Sequence, residues 1–275
     1  MTSRDWRRAM VVVGAAAVVL GLHSIAASPQ WIRYPTPGVP RTPDGRPDLS
    51  APAPRTADGR PDFSGVWENV GYENAVEGLG PPPRTVFFDL SFGMDGTPPY
   101  QPWAAELYAR RKEQNSKDNP DARCLPIGAL QMLVHPLPKK IVQIPGLLLL
   151  LHERNMEYRQ IFTDGRALPE DPRPAWYGYS SGRWEDDTLV VETIGFNDEL
   201  WADFNGSPLT DAARMTERFT RQSYGTLEVE VTVDDPKAYT RPWTVGANHR
   251  LTPDTDLLEY ACLENERSVQ HLVGK

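Results

Sequence analysis

The sequence predicts a mainly β protein: an antiparallel barrel of the calycin or lipocalin type, or a sandwich, with one helix. Three observations carry this expectation. Leu227, Val229, Val231 and Val233 alternate with Glu228, Glu230 and Thr232, the period-two signature of a half-buried strand. From Lys139 onward, short runs of this kind follow one another, separated by turn residues such as Pro145-Gly146, Asp164-Gly165 and Asp186-Asp187. Helical patterns do not alternate with the strands, which argues against a doubly wound parallel sheet.

The elements follow in order. Phe63 to Trp67 opens the body. Thr85–Phe92 reads as a strand. Pro102 suits a first helical turn, and Ala104, Leu107, Tyr108 and Arg111 share one helical face, so a helix is expected over about Trp103 to Asn115. Strands are expected at Lys139–Ile144, Leu147–Glu153, Glu157–Phe162, Trp176–Trp184 and Thr188–Ile194. Further ones follow at Met215–Gln222, Leu227–Val233, Trp243–Leu251 and Leu257–Leu263. Leu147 to Leu151 is apolar on both faces, which points to a doubly covered strand.

Three segments make up the 275 residues. Residues 1–27 read as a secretory signal: Arg4, Arg7 and Arg8, then the apolar run Ala9 to Leu22, then small residues with cleavage expected after Ala26 or Ala27. Arg7-Arg8 leaves the twin-arginine route open beside the general one. Residues 28–62 form a proline-rich arm with nine of the 27 prolines. Inside it Arg41-Thr42-Pro43-Asp44-Gly45-Arg46-Pro47-Asp48 recurs as Arg55-Thr56-Ala57-Asp58-Gly59-Arg60-Pro61-Asp62, a strap or a docking arm. Residues 63–275 are a single β domain. Export to the periplasm or beyond places Cys124 and Cys262 in an oxidising compartment, where they are expected to pair.

Composition narrows the function. The formal net charge of −8 excludes a nonspecific nucleic-acid binder. Mean hydropathy of −0.49 excludes a multispan membrane protein, so membrane contact is expected only through the uncleaved signal. No phosphate loop, dinucleotide fingerprint or haem-attachment motif is present, so no cofactor is expected. The histidines lack zinc-site spacing, and no metal is expected. Gly178-Tyr179-Ser180-Ser181-Gly182 matches Gly-x-Ser-x-Gly, but a strand follows it where a nucleophile elbow needs a helix.

The remaining chemistry lies in Glu and His. His152 ends the leucine strand, with His152 and Glu153 on opposite faces. Glu192 and Glu217 lie mid-strand, the second beside Arg218, and a desolvated carboxyl gains the raised pKa suited to proton transfer. These three are the candidate proton-transfer residues. Trp67, Tyr158, Trp184, Arg218 and Trp243 are the candidate ligand contacts. The expected function is therefore an exported barrel binding a small, partly apolar molecule. The alternatives are a cofactor-free hydrolase, lyase or isomerase using Glu/His proton transfer in a barrel cavity, and a structural envelope protein.

Two resemblances add to this reading. Gly65-Val66-Trp67 before an antiparallel meander resembles the first strand of lipocalin-type barrels. Asp58-Gly59-Arg60-Pro61-Asp62-Phe63-Ser64-Gly65-Val66-Trp67, Arg159 to Arg166, Gly182-Arg183-Trp184-Glu185-Asp186-Asp187-Thr188-Leu189-Val190-Val191-Glu192-Thr193 and Val233 to Trp243 resemble a family of exported bacterial proteins of unassigned function. That resemblance implies export and no defined activity. Where the family often has Gly-Asp, this chain has Asp186-Asp187. Where it often has two histidines, this chain has Leu209 and Arg214, so no role for those histidines carries over.

Overall fold

The computed structural model describes residues 34–70, 89–94 and 96–264. The expected signal and residues 85–88 of the expected early strand lie outside them. Nine strands close into one barrel in chain order. They are β1 (Gly65–Asn69), β2 (Lys139–Ile144), β3 (Leu147–His152), β4 (Tyr158–Phe162), β5 (Tyr179–Glu185), β6 (Thr188–Ile194), β7 (Arg214–Arg221), β8 (Thr226–Asp234) and β9 (Trp243–Leu251). Trp67 of β1 stands opposite Lys139 of β2 and Leu251 of β9, which seals the ring. A sandwich is thereby excluded.

A closed ring with an odd number of strands cannot alternate direction throughout, so one neighbouring pair must run parallel. That pair is β4–β5, joined in register only at Ile161–Ser180 and Phe162–Ser181. A parallel connection has to return from one end of the barrel to the other. Residues 163–178 make that return as an arch outside the wall.

Two expected elements take other forms. Leu90–Gly93 is a 3-10 turn capped by Asp89. Leu257–Leu263 contains only an isolated bridge from Tyr260 to Arg154. The β1–β9 pairing has already consumed both sheet edges, so no edge remains for a tenth strand. The segment instead runs along the outside, tied by Lys140–Asp256 (2.8 Å), by Leu258 N–H to Glu153 (3.1 Å) and by the Cys124–Cys262 disulfide (S–S 2.00 Å).

The expected helix is α1 (Pro102–Glu113). A second, α2 (Gly128–Val134), was not expected from sequence. All seven of its residues are buried. A helix enclosed on every side shows no amphipathic period, which is why pattern reading passes over it. It closes one end of the barrel: Asn69 Nδ2 donates to Val134 O, and His249 Nε2 to Leu133 O.

The arm closes the other end. Its two repeats fold alike. Thr42 and Thr56 donate to Arg46 O and Arg60 O (both 2.9 Å), and the Arg41 and Arg55 side chains donate to Gly45 O and Gly59 O. Each leading arginine also grips an aspartate, Arg41 on Asp254 just past β9 and Arg55 on Asp187 in the β5–β6 turn (both 2.6 Å). Phe63 then enters the barrel end, stacked on Trp184 at 5.5 Å and near Phe219 at 6.2 Å. Asp186 has φ +52, the left-handed region that glycine tolerates best. Asp186→Gly is expected to stabilise the protein by up to about 1 kcal/mol in urea unfolding, with the β5–β6 turn unchanged.

Inward residues fill the barrel. Leu148, Leu150, Ile161, Leu189, Phe219, Val229 and Val231 are at most 1% exposed. On β3 the inner leucines are buried and the outer ones only half-buried, so the expected double cover is partial.

Candidate functional site

The geometry of the odd strand creates a groove of about 800 Å³. Its floor is the outer face of β4 and β5, and its roof is the arch. Tyr158 and Phe162 alternate outward on β4, as does Tyr179 on β5. Ala167, Leu168 and Trp176 come from the arch. Ser181 Oγ donates to Arg166 O (2.6 Å), and Ala175 N–H to Gly195 O (2.9 Å), so the arch is pinned at both ends. Arg166 lies 3.7 Å above the Phe162 ring and pairs with Asp164.

Large apolar groups are left open here. Tyr158 is 60% exposed, Met156 56% and Tyr179 39%. Met156 at the rim also has φ +54, a strained conformation for an unbranched non-glycine residue.

Glu157 and Tyr177 form the back wall. The Tyr177 hydroxyl donates to Glu157, which also pairs with Arg154, and Arg154 pairs in turn with Asp121. Burial raises the Glu157 pKa, with Tyr177 and Arg154 opposing the shift. Burial also raises Tyr177, reinforced by the Glu157 charge. Behind the seam lies a buried ion pair: Arg159 reaches both carboxylate oxygens of Glu217, Ser180 Oγ (3.0 Å) and Thr193 Oγ1 (2.8 Å).

The residues singled out from sequence are dispersed. His152 points inward beneath α2, its ring edge-on to His135 at 5.0 Å. Its pKa is held well below the usual histidine value, first by burial and then by Lys139. Glu217 is inward and 0% exposed, and its partner is Arg159. Arg218 cannot be that partner, because adjacent strand residues face opposite ways; it pairs with Glu185 outside. Glu192 is also outside, between Arg183 and Arg214, bordering a shallow 290 Å³ depression that shares Arg166, Leu168 and Ser181 with the groove. The three expected proton-transfer residues therefore do not meet.

Among the expected ligand contacts, Tyr158 lines the groove. Trp67 is 0% exposed, bonded to Phe63 O (2.9 Å) under Arg221. Trp184 lies beneath Phe63 and Arg60. Trp243 is buried against Tyr239 at 5.2 Å. Ser180 is 4% exposed and engaged by Arg159, so it is not a presented nucleophile.

Sequence reading did not single out Trp176, Tyr177, Tyr179 or Glu157 as site residues. The pairing of an odd strand count with a long β4–β5 connection was the signal available. Comparison of the chain with protein-family models and with curated proteins finds no match to either.

Proposed function

We propose that this protein is an exported β-barrel that binds a small, partly apolar molecule with a flat face in the groove between β4, β5 and the arch. The observation that carries this reading is the open pair Tyr158 and Tyr179 on the floor of one 800 Å³ groove. Ligand pockets fall in this range of size and are lined mainly by apolar and aromatic groups. Exposed aromatic faces leave stacking surface unsatisfied, worth about 0.5–1.5 kcal/mol per ring pair beyond area burial. Export is supported by the basic-then-apolar leader and by the Cys124–Cys262 bridge. The same resemblance to exported proteins fits this reading.

The test uses 1-anilinonaphthalene-8-sulfonate as the probe, with circular dichroism to check folding. Tyr158→Ala combined with Tyr179→Ala is expected to weaken probe binding roughly tenfold, two lost stacking faces at about 1 kcal/mol or less each. Unchanged affinity in the folded double variant overturns the reading. Native mass spectrometry of protein from its own host then names the ligand.

A second reading is favoured by one feature, the desolvated Glu157 carboxyl at the back of the groove. It would make the site a cofactor-free hydrolase, lyase or isomerase. Glu157→Gln separates the two readings: it abolishes turnover in an enzyme and leaves probe binding nearly unchanged in a carrier.

A further inference from the structure

Away from the groove, β1, β2, β3 and β9 gather four buried side chains, each with one atom that has no hydrogen-bond partner. The atoms are Lys139 Nζ, His152 Nε2, His249 Nδ1 and Asn69 Oδ1. Lys139 stands opposite His152 in the β2–β3 register, and Asn69 opposite His249 in the β1–β9 register. Trp67, opposite Lys139, links the two pairs. Lys139, His152 and His249 are each 1% exposed and Asn69 is 6%.

The bonds these groups do make fix the character of the atoms left over. His249 donates its Nε2 hydrogen to Leu133 O (2.8 Å), with the Leu227 backbone also against the ring, so in the neutral imidazole Nδ1 is the lone pair. His152 Nδ1 accepts from Arg154 N–H (3.1 Å), so Nε2 carries a hydrogen with no acceptor. Asn69 uses its Nδ2 on Val134 O (3.2 Å) and keeps a free carbonyl oxygen. Among the described residues, the charged and titratable groups around Lys139 are His135, His152 and Arg154 on the α2 and β3 side, His249 on β9, and Glu68 on the outer face of β1. The interior carboxylate of Glu217 is held by Arg159. Among the described residues an ammonium here makes no ion pair, so the amine is favoured, and burial lowers Lys139 to about 7, with the Glu68 charge opposing the shift.

We propose that Lys139 is a carbamate-forming site: its amine adds to dissolved carbon dioxide, and His152, His249 and Asn69 receive the product. The Nζ lone pair forms the N–C bond, and one C=O electron pair moves onto oxygen. One Nζ proton passes to His249 Nδ1: burial and the Lys139 cation hold that imidazole at about 3, and replacing the cation by the carbamate anion removes the second cause and favours the protonated ring. The product is Lys139–NH–COO⁻ beside a protonated His249; nothing is oxidised and nothing leaves. The carbamate N–H suits Asn69 Oδ1. Its oxygens suit His152 Nε2–H and the new His249 Nδ1–H. In this proposal one small group supplies partners for these four of the buried unpartnered atoms and gives the anion a cationic neighbour. Carbon dioxide is small and uncharged, the class of reagent that a closed apolar interior admits. Asn69 and His249 also hold the last carbonyls of α2, so the modification tightens the end of the barrel. This site is independent of the groove.

The experiment places the full chain in ¹³C-labelled bicarbonate, with chloride-matched ionic strength, and records carbon NMR and thermal unfolding. One protein-bound carbamate resonance is expected. It disappears in Lys139→Met and weakens several-fold in His152→Ala that remains folded by circular dichroism. The wild-type melting temperature rises by about 2–4 °C when carbon dioxide stands near tenfold above its dissociation constant, and that of Lys139→Met does not. Absence of the resonance, its persistence in Lys139→Met, or an equal rise in both proteins overturns the assignment; the four atoms then hold water instead.

Discussion

Replacing Lys139 by methionine is expected to stabilise the protein at pH 7 by up to about 5 kcal/mol in buffer purged of carbon dioxide. The side chain is 1% exposed and its Nζ has no partner. In the unfolded chain this amine titrates near the ordinary lysine value of 10.5; in the folded barrel burial takes it to about 7. Each pH unit between those values corresponds to about 1.4 kcal/mol, which sets the upper limit. Methionine keeps the length and apolar stem of lysine and removes the group that must be desolvated.

The pH dependence follows with a definite sign. Below about 7 both states carry the proton and the full cost is present. Between about 7 and 10.5 the unfolded state binds the proton and the folded state does not, so wild-type stability rises with pH. Above 10.5 both are neutral and the cost is gone. Urea unfolding from pH 7 to 9.5 should therefore show the gap between Lys139→Met and wild type shrinking as pH rises. A gap that stays constant would mean that the amine is solvated in the native state. Restoring carbon dioxide should narrow the gap at fixed pH if the carbamate forms.

Glu217→Leu is the largest expected loss, roughly 3–5 kcal/mol, because it strands the Arg159 guanidinium inside the barrel. Arg159 is 2% exposed and Glu217 0%, and the pair is supported by Ser180 and Thr193. The charge is already desolvated, so the partner is what makes it tolerable. Arg159→Met in the same background should recover most of the loss, since both charges then leave together. A double-mutant cycle in chemical denaturation measures the coupling. If the double variant is no more stable than Glu217→Leu alone, the pair is not what holds this part of the wall. The contrast with Lys139 is informative: two buried cations, one matched and one unmatched, are expected to respond to removal in opposite directions.

Much of the barrel was legible because its signals are local. Alternation in β8, the turn residues between strands and the first-turn Pro102 each act over a few residues, and each produced the expected element. The Cys124–Cys262 pairing was expected from the cysteine number together with the expected leader, and the bridge is present. Other elements were illegible for identifiable reasons. α2 is buried all round and has no period. Leu257–Leu263 has strand-like composition but found every sheet edge occupied.

The site was much less legible. Tyr158 was named as a contact, but Trp67 and Trp243, named beside it, are buried, and Trp184 is half-buried under Phe63. Which face a residue takes follows from strand phase, so the inward set of Lys139, His152, Arg159 and Glu217 was readable in kind. Which of them would meet depended on register around the whole ring.

By itself the amino-acid sequence determined the strands, the turns, the repeated arm and the chemistry available to each face. Only the tertiary structure decided that nine strands close, that β4 and β5 therefore run parallel, and that the arch between them leaves a groove. It also decided that Lys139 would be enclosed with no ion-pair partner among the described residues. The reason is the range of the forces involved: backbone preference and side-chain alternation are set by neighbours in the chain, whereas closure, parity and charge pairing are properties of the complete ring.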